Sequence, residues 1–87
     1  MKDFYETVIY TGPNIREMNM QMFQIYRGGL PPYVKRAIEK IPEIEDLIVP
    51  ISQLEETRRK IAKSGTNASR LFITVTKAAR SVKLNGI

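Results

Sequence analysis

The chain has 87 residues, 43% of them hydrophobic, and a formal net charge of +5, which suits one small globular domain with an attached tail. It contains no cysteine and no histidine, so disulfides, thiolate nucleophiles, Cys- or His-ligated metals and an imidazole general base near neutral pH are excluded by inventory. The charge is unevenly placed: residues 1–56 carry nine acidic and six basic side chains, whereas 57–87 carry eight basic and none acidic, which is −3 against +8.

Residues Phe4 to Thr11 are rich in aromatic and β-branched types and read as a strand, with Tyr5, Thr7, Ile9 and Thr11 on one face and Phe4, Glu6, Val8 and Tyr10 on the other. Gly12-Pro13-Asn14 supplies turn chemistry that stops it. A second extended segment is predicted from about Asn19 to Tyr26, where Met20, Met22, Gln24 and Tyr26 alternate with Gln21, Phe23 and Ile25, so the pair suggests a hairpin with a long loop. Arg27-Gly28-Gly29 closes it; the glycine pair lacks the spacing of a nucleotide-binding loop and reads as a plain turn.

Pro31 and Pro32 suit the start of a helix, because a proline at the first helical position forfeits only an amide that would be unpaired there. Val34, Ala37 or Ile38, and Ile41 then recur at helical spacing until Pro42 ends the run. Glu43, Glu45 and Asp46 lack the ligand spacing of a calcium loop, so the segment from Glu43 to Asp46 reads as a solvated turn and no metal or cofactor is expected. Leu47 to Ile51 fits a short strand, which Pro50 confines to a sheet edge or terminus.

Ser52 and Glu55 have capping-box spacing before a helix predicted from about Gln53 to Lys63, with Glu55–Arg59 and Glu56–Lys60 as favourable i,i+4 pairs and Ser64-Gly65 as its stop. The last segment is open to two readings. Arg70 to Thr76 has strand composition, yet Leu71, Val75, Ala78 or Ala79, and Val82 fit a helical stripe that Asn67 would cap and Asn85-Gly86 would end. The stripe persists for more than three turns, which favours helix; as a strand, Arg70 to Thr76 would pair with a neighbouring chain.

These elements predict an α+β fold: a small β-hairpin plus a short third strand packed on a helix, followed by C-terminal helical segments. Residues 1–56 form the small α+β domain and 57–87 a basic, largely helical C-terminal extension. Arg58, Arg59, Lys60, Lys63, Arg70, Lys77, Arg80 and Lys83 are the candidate phosphate or interface contacts. The competing reading is that Arg58, Arg59 and Lys60 balance Glu55 and Glu56 while the rest keep the chain soluble or meet an acidic partner. Phe72 is the one aromatic residue in this part, which gives no stacking platform for bases. Met18, Met20, Met22 and Phe72 are candidate apolar contacts, although methionine more often fills gaps in a core. No run approaches the ~20 apolar residues of a membrane span, and Met1-Lys2-Asp3 does not open a secretory signal.

The stretch from Phe23 to Leu54 resembles a pattern in small proteins encoded among the head and structural genes of tailed bacteriophages and prophages. In that pattern a strand ends in a basic residue and glycine, a proline-started helix follows, and a short strand closes the unit. Here Tyr26-Arg27-Gly28-Gly29, Pro31 to Ile41 and Leu47 to Ile51 are the matching parts, and Val8 to Pro13 looks like the first strand and turn. The chain differs in its two prolines before the helix, its Met-rich second strand and its basic extension. The matched positions carry no chemistry, so no functional residue transfers. The resemblance implies a non-enzymatic virion structural or assembly protein, with a minor head or connector component favoured over the tail. Such a protein would be assembled in host cytoplasm and contact other virion subunits as a homo- or hetero-oligomer. The alternative expectation is a small basic nucleic-acid-binding protein.

Overall fold

Three short strands and four α-helices make up the computed structural model, which describes the backbone of residues 6–85 and the side chains of residues 6–81. The strands are β1 (Val8–Tyr10), β2 (Ile25–Tyr26) and β3 (Ile48–Pro50), in the order β2-β1-β3 with both pairings antiparallel. The helices are α1 (Pro32–Lys40), α2 (Glu43–Asp46), α3 (Leu54–Ala62) and α4 (Asn67–Asn85). The fold is therefore α+β, with the final segment helical.

Val8, Tyr10, Tyr26 and Ile48 enter one buried cluster with Ile15, Met20, Val34, Ala37, Ile41, Ile44, Leu47 and Val75. Val8 and Tyr10 belong to one face of β1, as the period of two requires. Ile9 belongs to the other face, between Ile25 and Val49, and is also buried. The ladder continues past β1, where the Thr11 amide and Oγ1 both donate to the Leu47 carbonyl, at 2.8 and 2.6 Å. Phe4 and Tyr5, expected in the first strand, lie outside the described residues. Gly12 follows because a Cβ there would fall 2.5 Å from the Tyr10 hydroxyl, which itself donates to the Pro13 carbonyl at 2.7 Å.

The second strand is much shorter than the predicted Asn19–Tyr26. Arg16–Met18 forms a 3-10 turn that ends at Asn19 in left-handed backbone (φ 58°), and the Ile15 and Met20 amides each bond to the other's carbonyl around it. This small closed loop carries Met20 into the core, so strand alternation fails there.

A second departure follows at Phe23. Its amide donates to the Tyr10 carbonyl (2.7 Å), while the Tyr10 amide donates to the carbonyl of Gln24 (3.0 Å), so two residues of one strand oppose one of the other. Phe23 has φ 68°. This is a β-bulge whose first residue is left-handed, a position that glycine ordinarily occupies.

α1 forms as predicted, entered through Pro31 and Pro32 and burying Val34 and Ala37. The expected solvated turn after Pro42 is instead the single-turn helix α2, because Ile44 is an apolar anchor among three carboxylates and is fully buried. β3 is an edge strand, as its proline demands. Pro50 sits opposite Val8, and the Ile51 amide, rather than the absent proline N–H, bonds to the Thr7 carbonyl at 3.2 Å.

The predicted capping box is absent. Ile51–Gln53 forms a 3-10 turn that places Gln53 at the N-cap of α3 with no side-chain cap bond, so Ser52 lies one residue too early. Asn67 is likewise not the cap of α4. Thr66 holds that position, its Oγ1 accepting the Ser69 amide at 3.1 Å and contacting the Lys60 carbonyl, which ties the end of α3 to the start of α4. Gly86, the expected stop of α4, lies outside the described residues.

Candidate docking surfaces

α4 places its apolar residues on one side: Val75 is buried, and Leu71, Ala78 and Ala79 pack against the core. At about 100° per residue, Arg70, Ile73, Lys77 and Arg80 then fall within an arc of about 80° on the opposite side. All four are exposed, and Ile73 is 51% exposed. The α4 face is thus a row of cations interrupted by one apolar side chain.

The other candidate cations divide differently. Lys60 pairs with Glu56 at 3.1 Å, as expected, but Arg58 and not Arg59 pairs with Glu55, at 3.5 Å. These exposed pairs reduce the field of α3, and each contributes little to stability. Among the described residues Arg59, Lys63, Arg70, Lys77 and Arg80 form no ion pair. The side chain of Lys83 lies outside the described residues. The structure therefore gathers Arg70, Lys77 and Arg80 on one face while Arg58 and Lys60 are paired on α3.

The candidate apolar contacts also separate. Met20 is core, Met18 packs against it and Phe72 is half-buried, leaving Met22 as the exposed member. The exposed apolar surface lies beside it: Met22, Phe23 and Ile25 are 36%, 43% and 39% exposed along the β2 edge of the sheet, whose outer side no described strand covers. Arg58, carried on α3, stands 5.3 Å over the Phe23 ring centroid. The basic segment has an aromatic partner after all, supplied by the N-terminal half, which sequence distance concealed.

The described residues contain no group of three or more acidic side chains placed to hold a metal ion. No helix among them is long and apolar enough to cross a membrane. Burial pushes the Tyr10 and Tyr26 hydroxyls well above the usual tyrosine range, with Tyr33 and Tyr10 adding to the shift at Tyr26. Both are core groups. Tyr10 is hydrogen-bonded, whereas the buried Tyr26 hydroxyl has no hydrogen-bond partner among the described residues.

Compared with family models, with curated proteins and with solved structures, the chain has no match.

Proposed function

We propose that the chain is a non-enzymatic docking component of a phage-type particle, attached to a neighbouring protein subunit through the β2 edge. The observation that carries this reading is Phe23. A bulky aromatic in left-handed backbone costs about 1–3 kcal/mol relative to a residue suited to it, and such strain concentrates where binding needs it. Here the strain holds a ring 43% exposed between Met22 and Ile25, beside a core that is already closed. An open strand edge next to such a patch suits main-chain pairing with apolar anchoring by a partner. The particle setting rests on the sequence resemblance over Phe23 to Leu54.

The test uses Phe23→Gly, which gives the bulge its preferred residue while deleting the ring. The variant should be as stable as wild type or more so, because relief of backbone strain offsets the lost contact with Arg58. In a host producing the particles, quantitative mass spectrometry should find wild-type chain at fixed stoichiometry in particles or their assembly intermediates and the variant depleted. Absence of the wild-type chain from both, or equal incorporation of the variant, would sink the proposal.

A further inference from the structure

A second surface lies on α4, where an open cleft of about 370 Å³ separates α4 from the segment around Arg16. Arg16 and Arg80 line it from the two sides, with Asn14, Thr76 and Glu17. Both arginines are exposed, and among the described residues neither forms an ion pair. The cleft is thus net positive by one charge despite Glu17. Its Arg80 wall is also the end of the α4 row, so Arg70, Lys77, Arg80 and Arg16 follow one another as cations drawn from two elements far apart in sequence.

We propose that this row is a track for the phosphate backbone of nucleic acid, and that the cleft between Arg16 and Arg80 seats one phosphate group. This goes beyond docking at the β2 edge and does not depend on it. The ten residue steps from Arg70 to Arg80 rise about 15 Å along the helix, which spans about four phosphates of one duplex strand at ~3.4 Å of axis each. Guanidinium groups on both walls match phosphate, because their planar forks donate two parallel hydrogen bonds to paired oxygens. No acidic residue occurs from Thr57 to the end of the chain, so α4 itself offers a polyanion no repulsion. Ile73, exposed in the middle of the row, lets the backbone approach without desolvating a competing polar group.

Fluorescence anisotropy of a labelled DNA duplex against the full chain tests this, with Arg16→Gln, Arg16→Lys, Arg80→Gln and, as a control on α1, Lys35→Gln. Arg16→Gln and Arg80→Gln should each weaken binding and lower the salt slope by about one; the gap from wild type then narrows about 3.5-fold between ~50 and ~200 mM salt. Arg16→Lys should recover the slope but not all the affinity, and Lys35→Gln should change neither. Circular dichroism melts confirm that each variant folds. An unchanged slope in Arg16→Gln overturns the cleft while leaving the α4 row. No duplex binding by wild type at ~50 mM salt, or equal binding to polyglutamate, overturns the phosphate track; neither result touches incorporation into particles.

Discussion

Between Val8 and Ile48 lie 12 of the 13 buried hydrophobic residues found among the described residues; the helices after Pro50 contribute only Val75. α3 buries no residue fully. The two regions use similar amino acids for different ends. In the first, apolar residues meet one another across sheet, loop and helix, and the large exposed hydrophobics among its described residues, Met22, Phe23 and Ile25, lie along the β2 edge. In the second, a narrow apolar stripe fastens a long helix whose other side remains free to carry cations. A small protein can thus separate the part that makes it fold from the part that presents charge.

Truncating the buried anchor of each region separates their contributions to stability. Ile44→Ala should cost about 2–5 kcal/mol, a large share of the ~5–15 kcal/mol that holds a native domain together. Val75→Ala should cost about 2 kcal/mol, from roughly 0.8 kcal/mol per buried carbon removed and the space left behind. Urea titrations of both variants decide the point; equal losses would mean that α4 is as central to the core as α2.

The tyrosines sharpen the picture inside the first region. Tyr10→Phe removes the bond to the Pro13 carbonyl and should cost about 1 kcal/mol, whereas Tyr26→Phe removes a buried hydroxyl without a partner among the described residues and should be neutral or stabilising. The pH dependence follows from the same burial. Both hydroxyls hold their protons more tightly in the folded state, so their contribution is fully present below the unfolded tyrosine pKa of about 10 and is lost as pH rises through the higher folded values. Melting temperatures should fall at alkaline pH, and the fall should be shallower when Tyr26 is replaced by Phe. A steeper fall in that variant would contradict the assignment.

At the junction of the two regions, Thr66→Ala should cost about 1 kcal/mol by leaving the Ser69 amide uncapped. Loss of helicity on substituting Thr66, with Asn67→Ala silent, would be the circular-dichroism signature.

The helices α1 and α4 were legible because each carries a sustained apolar period, and α1 also has proline at both ends. Pro31-Pro32 opening α1, Pro42 closing it and the α4 stripe through Leu71, Val75 and Ala78 are local features. The edge position of β3 could be read from Pro50. What escaped was non-local or a matter of one residue. Met20 to Gln24 alternates like a strand, but the Ile15–Met20 bridge and the bulge against Tyr10 interrupt it, and neither has a sequence signature when phenylalanine stands where glycine is usual. The carboxylates around Ile44 suggested solvent, although the isoleucine among them was the anchor. Ser52 and Glu55 had capping spacing, but a 3-10 turn shifted the helix start by one residue.

For the candidate surfaces, Arg70, Lys77 and Arg80 share a face that follows from helical period alone. Arg16 sits 64 residues before Arg80 in the chain, and Phe23 meets Arg58 only through the fold, so neither partnership could be read from spacing.

The most direct test measures two readouts on the same two variants: Phe23→Gly at the β2 edge and the charge reversal Arg70→Glu with Lys77→Glu on α4. Particle incorporation and duplex affinity at low salt are compared with wild type. The separation of the two regions predicts that Phe23→Gly loses incorporation and keeps DNA binding, while the charge reversal loses DNA binding and keeps incorporation. Loss of both properties in either folded variant would contradict it, because one surface would then serve both partners.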